Sequence, residues 1–129
     1  VWMNSANSPL LPVLAQLGLQ TCTDISGFAL LGHLSELLMG TELGVELYVD
    51  AIPIQSGVKP LIEAGIKSSL FPQNLQLVQS RRWVEQYLDS PLLPVLLDPQ
   101  TSGGILALVP EQAKDRIKGA GLTIIGQIC

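Results

Sequence analysis

Cysteine is scarce in this chain. Only Cys22 and Cys129 occur in 129 residues, with no C-x-x-C spacing. Two isolated thiols supply neither a disulfide framework nor a zinc-ligand pattern, and they fit a reducing, cytoplasmic setting. Histidine is scarcer: His33 stands alone at the margin of a leucine stripe, with no partner carboxylate or cysteine evident in the sequence. It therefore reads as structural rather than catalytic. Charge is thin, with 7 basic and 11 acidic residues and a net charge of −4. Arg81-Arg82 is the one basic pair, too little to neutralise a phosphate backbone, which argues against nucleic-acid binding. Mean hydropathy is +0.40, yet no apolar run approaches the ~18–20 residues that span a bilayer. Val1 to Ser5 lacks the charged start of a signal peptide. No G-x-x-x-x-G-K-[ST] phosphate loop occurs.

What is present is apolar. Hydrophobic residues make up 47% of the chain, enough for one core in one domain over residues 1–129. So little charge on so apolar a chain also suggests a surface partly covered by something else.

Punctuation divides the chain into alternating elements. Ser8-Pro9 opens a short helix to Leu17 that Gly18 stops, and a strand over 19–23 follows. Leu30, Leu31, Leu34, Leu37 and Leu38 form the stripe of an amphipathic helix beginning near Gly27. Val45–Val49 alternates as a strand, and residues 50–53 turn. Residues 56–64 form a helix closed by Gly65, 66–74 a loop, and 74–88 another helix. Trp83 and Tyr87 then fall on one packing face. Leu92–Leu97 is apolar without a clear type. Ile105–Val109 is a buried strand, Pro110 opens a helix to Ala120 that Gly121 caps, and residues 122–128 close the chain as a strand. This interleaving predicts an α+β or α/β sandwich.

Two segments depart from core patterning. In the first, Thr21 to Phe28, a carboxylate, three hydroxyls and a glycine converge where a strand meets a helix. Asp24 could hold a divalent cation, since Mg²⁺ takes carboxylate and phosphate oxygens; equally, Asp24 or Ser26 could only cap the helix. Cys22, close to that helix start, reads as a small core residue. In the second segment, Asp98 to Gly104, the amides of Thr101, Ser102, Gly103 and Gly104 could form an anion-binding concavity; equally, it is a turn entering a strand. These groups are too few for a complete phosphotransferase.

These segments carry a resemblance. Thr23-Asp24-Ile25-Ser26-Gly27-Phe28-Ala29-Leu30-Leu31-Gly32-His33-Leu34 resembles the T-D-[VI]-[TS]-G-F-G-L-L-G-H-L motif of selenophosphate synthetases, also called selenide, water dikinases. Asp98-Pro99-Gln100-Thr101-Ser102-Gly103-Gly104 resembles their D-P-Q-T-S-G-G loop. The segment from Val45 to Ile54 with Gly57, and the ending Ile125-Gly126-Gln127-Ile128, are similar in order and spacing over nearly the whole chain.

The resemblance implies an α+β fold: a three-layer α/β/α sandwich around a mixed, mainly antiparallel sheet, as in the C-terminal domain of aminoimidazole ribonucleotide (AIR) synthetase. It implies an enzyme that makes selenophosphate from ATP, selenide and water, releasing AMP and phosphate. The chain would be its C-terminal domain, partnered by its own N-terminal ATP-binding domain in a homodimer. That other domain would hold the reactive Cys or selenocysteine, a Lys and two Asp ligands, so this chain alone would be inactive. Asp24 would bind Mg²⁺ against the nucleotide phosphates between the domains. Three departures stand out: Ala29 replaces a usual Gly, a mild change; residues 67–74 lack the family's glycines while keeping Asn74; and the insert-like basic pair Arg81-Arg82 differs. They leave two alternatives, a non-catalytic binding module in a fusion protein or another ATP-dependent synthetase of the same superfamily.

Overall fold

The computed structural model describes residues 7–129. The chain forms six short α-helices and four strands among these residues, an α+β domain. In order they are α1 (Leu11–Gln16), β1 (Thr21–Asp24), α2 (Ala29–Leu37), β2 (Val45–Leu47), α3 (Val58–Glu63), α4 (Phe71–Val78), α5 (Leu93–Leu96), β3 (Ile105–Leu108), α6 (Lys114–Ile117) and β4 (Gly126–Ile128). Short 3-10 turns link several of them.

The pairing is wholly antiparallel and falls in two separate ladders: β1 with β3, and β2 with β4. The single mixed sheet and the three layers implied by the resemblance are not defined by these two ladders. A local reason is visible at β2. Glu46 lies opposite Gln127 and Leu47 opposite Gly126, and flanking Gly44 and Tyr48 bond to Cys129 and Ile125. In an antiparallel ladder, residues alternate between pairs that exchange hydrogen bonds and pairs that do not. The Leu47 N–H therefore points away from β4, and it donates to the Tyr87 hydroxyl at 2.6 Å. A tyrosine side chain takes the place of a further strand.

The main core gathers around α2. Leu30, Leu31, Leu34 and Leu38, the stripe legible in the sequence, pack with Val45, Leu47, Val78, Val84, Tyr87 and Leu96. A smaller cluster joins Leu17, Ala113 and Ile117.

The helix expected over 74–88 is two elements. Helix α4 ends at Val78 and a 3-10 turn covers Arg82–Tyr87. Val78 and Val84 are fully buried and Tyr87 nearly so. Nine residues apart on one continuous helix, Val78 and Tyr87 would point about 180° apart. Breaking the chain at 79–81 lets both enter one core. The loop expected over 66–74 is likewise shorter, because Pro72 sits in the first turn of α4, where a missing N–H costs nothing. Leu93–Leu96 takes helical form with Pro94 in its first turn. The expected last strand is paired only over Gly126–Ile128, and the expected 110–120 helix is regular α only over Lys114–Ile117. Gly65 and Gly121 end their helices at positive φ, as expected.

Candidate functional site

The two motif segments meet. Asp24 ends β1 opposite Ile105, the first residue of β3, so the 98–104 turn feeds directly alongside it. Backbone bonds then stitch the segments together. Ile25 N–H donates to the Gly104 carbonyl (3.0 Å), Gly103 N–H to the Ile25 carbonyl (3.1 Å) and Gln100 N–H to the Ser26 carbonyl (2.9 Å). A Cβ on Gly103 would overlap the Ile25 carbonyl oxygen, so only glycine permits this approach.

Asp24 is exposed. Its Oδ1 accepts from Asn7 Nδ2 at 2.6 Å, and the same amide donates to the Gly103 carbonyl at 3.0 Å. The capping alternative does not describe this geometry. The N-cap of α2 is Phe28, with no side-chain cap; Asp24 is held by Asn7, and Ser26 by His33. Nearly buried His33 reaches back from the second turn of α2 to accept the Ser26 N–H at Nε2 (3.0 Å), with the Ser26 hydroxyl also at 3.0 Å. Because Nε2 accepts a backbone N–H, the proton belongs on Nδ1, which donates to Glu36 Oε2 at 2.8 Å. The histidine is thus an internal clamp on the helix start; contrary to the sequence reading it has a partner carboxylate, Glu36, one helical turn on.

The other motif residues have matching reasons. A Cβ on Gly32 would lie 2.6 Å from that of Phe28, so glycine lets Phe28 fold back along α2, its ring 5.6 Å from that of His33. Ala29 is fully buried at φ 60°, in the left-handed region. A glycine would sit there without strain, so the alanine carries a local backbone cost that the burial of its methyl offsets.

In the second segment, Thr101 and Gly104 are exposed, while Ser102 and Gly103 are half-buried. The Gly103 amide is spent on Ile25, which leaves it a stitching role. Asp98 is half-buried, and desolvation pushes its carboxyl above the usual range despite a hydrogen bond from Gln100 Nε2 at 3.1 Å.

Two residues organise the site in ways that the sequence does not reveal. One is Asn7, seventeen positions before Asp24. The other is Asn74, noted only as a retained motif position. It is buried on α4, and its Nδ2 donates to the Gly27 carbonyl (3.0 Å) and the Leu97 carbonyl (3.1 Å), tying α4 to both motif segments.

Among the described residues, no cluster of three or more His, Cys, Asp or Glu side chains could enclose a metal. One exposed carboxylate, held at one oxygen, instead suits an ion that completes its shell with phosphate and other oxygens. Mg²⁺ behaves this way. Asp24 could hold it; Thr101 and Gly104 face solvent beside it in the stitched turn. Cys22 and Cys129 are free thiols, and no helix among the described residues is long and apolar enough to cross a membrane.

Fold and site together describe an α+β domain that offers one anchored carboxylate beside a glycine turn. The chain belongs to the family described as AIR synthase related protein, C-terminal domain, which it matches over residues 9–129. Among proteins of known name it is similar to selenide, water dikinases. It is 37% identical over 100 residues to a selenide, water dikinase of Clostridium botulinum (strain Eklund 17B / Type B), covering 77% of this chain and 29% of the relative. It is 36% identical over 113 residues to one of Trichlorobacter lovleyi, covering 87% and 32%, and 32% identical over 114 residues to one of Geobacter metallireducens, covering 88% and 33%. The chain thus spans about a third of the length of these relatives.

Proposed function

We propose that the chain acts as the C-terminal domain of a selenide, water dikinase, which makes selenophosphate from ATP, selenide and water and releases AMP and phosphate. The reading is supported by relatives of that name. The single observation that carries it is Asp24: exposed at the end of β1, anchored at one oxygen, and set beside the turn at 98–104. Bound Mg²⁺ supplies charge neutralisation on the phosphates. The chain's own part is to present the Asp24 carboxylate on a fixed strand end, with His33, Asn74 and the stitched turn holding the backbone around it. The nucleotide, the reactive thiol or selenol and the remaining ligands come from an N-terminal ATP-binding domain in a cytoplasmic homodimer. The isolated chain is inactive.

Asp24→Asn in the full-length parent tests the metal role. It keeps the shape and removes the charge. We expect Mg²⁺-dependent ATP turnover with selenide to fall about 100-fold or more, the scale of a lost metal ligand worth several kcal/mol. Undiminished turnover overturns the metal role. The diverged 67–74 segment does not favour a non-catalytic module: it builds the start of α4, and Asn74 still makes both of its bonds.

A further inference from the structure

Resting on the reading of Asp24 as a cation ligand, we propose that Asn7 is a positioning residue that fixes Asp24 for one-oxygen coordination and so favours Mg²⁺ over Ca²⁺. Asn7 is the N-cap of the turn Ser8–Leu10, with its carbonyl accepting the Leu10 N–H at 3.0 Å. Asparagine at an N-cap ordinarily turns its side-chain oxygen onto the following amides. Here that local bond is forgone. Both amide hydrogens instead cross to the far segments, one to Asp24 Oδ1 and one to the Gly103 carbonyl. Both partners are acceptors, which fixes the amide's orientation.

The arrangement has a consequence for the carboxylate. The helix-start turn fixes Asn7, and the stitched glycine turn fixes the Gly103 carbonyl. A bond to this bridge pins Oδ1 and sets the rotation of the carboxylate, and Oδ2 has no hydrogen-bond partner among the described residues. One pinned and one open oxygen suit a small octahedral ion that takes carboxylates by a single oxygen. Ca²⁺ is larger and commonly takes both oxygens of a carboxylate. Without Asn7 the carboxylate can rotate and offer both.

The test uses the full-length parent with a non-hydrolysable ATP analogue, and calorimetric titration of Mg²⁺ and of Ca²⁺. Asn7→Ala removes the bridge. Asn7→Ser removes it too but keeps a good N-cap residue, which protects folding. We expect both variants to lose about tenfold in Mg²⁺ affinity, the scale for residues that orient a ligand, and to lose less for Ca²⁺. In an Asp24→Asn background the Asn7 substitutions should have no further effect on Mg²⁺. Equal losses for both ions, or unchanged Mg²⁺ affinity while Asp24→Asn abolishes it, overturn the positioning role and leave the metal reading standing. Mg²⁺ affinity unaltered by Asp24→Asn removes the metal reading and this role with it.

Discussion

Ala29 shows at the scale of one residue how opposed terms nearly cancel. It starts α2 at φ 60° with its methyl fully buried. An L-residue in that region costs about 1–2 kcal/mol, and glycine relieves most of it. Removing the methyl, however, forfeits about 0.8 kcal/mol of burial and loosens the unfolded chain. Ala29→Gly should therefore shift stability by no more than about 0.5 kcal/mol in either direction. Ala29→Val adds volume where none is free and places a branched side chain at positive φ. Overpacking and strain should together cost about 2–5 kcal/mol. Urea unfolding midpoints of the three proteins check both. A large gain from the glycine variant would mean that the strain term far exceeds the methyl's contribution.

Asn74 makes the same point at the scale of elements, where separate pieces must be held together. Helix α4 contributes one buried amide, and that amide satisfies a carbonyl before α2 and another after α5. Asn74→Ala strands one buried acceptor, on Leu97, and one part-buried acceptor, on Gly27, and should cost about 1–3 kcal/mol. Asn74→Asp should cost more, since it sets a carboxylate against two carbonyl oxygens. Chemical denaturation orders the three; an aspartate variant as stable as the wild type would show that these bonds are not carried by the amide hydrogens. The sequence announced α2, β1 and β3 because periodicity and glycine punctuation are local signals. The leucines of its stripe do line the core. It did not announce the break after Val78, since no glycine or proline lies between 79 and 88 and the cause is the shared burial of Val78 and Tyr87. Asp24 and the 98–104 turn were legible as motifs, but their contact was not. It depends on the register of β1 on β3 and on asparagines distant in sequence.

Across the whole molecule, apolar surface left in solvent becomes the deciding term. Phe28, Met39 and Leu77 are 46%, 67% and 54% exposed, and all three line one groove of about 150 Å³. Apolar side chains grouped around one groove form a surface of the kind that partners cover. It agrees with the low charge of the chain and with its spanning a third of its relatives' length. The 129-residue chain in its native state should bind a hydrophobic dye. The double substitution Met39→Glu with Leu77→Glu should abolish most of that binding. Because both side chains project from the fold rather than fill it, stability should move by only about 0.5 kcal/mol per site, with the unfolding midpoint nearly unchanged. Dye fluorescence followed through a thermal ramp separates the possibilities. If binding persists in the double variant, the dye is reporting a loosened core rather than this face. If the midpoint falls steeply, Met39 and Leu77 contribute to packing that their exposure conceals.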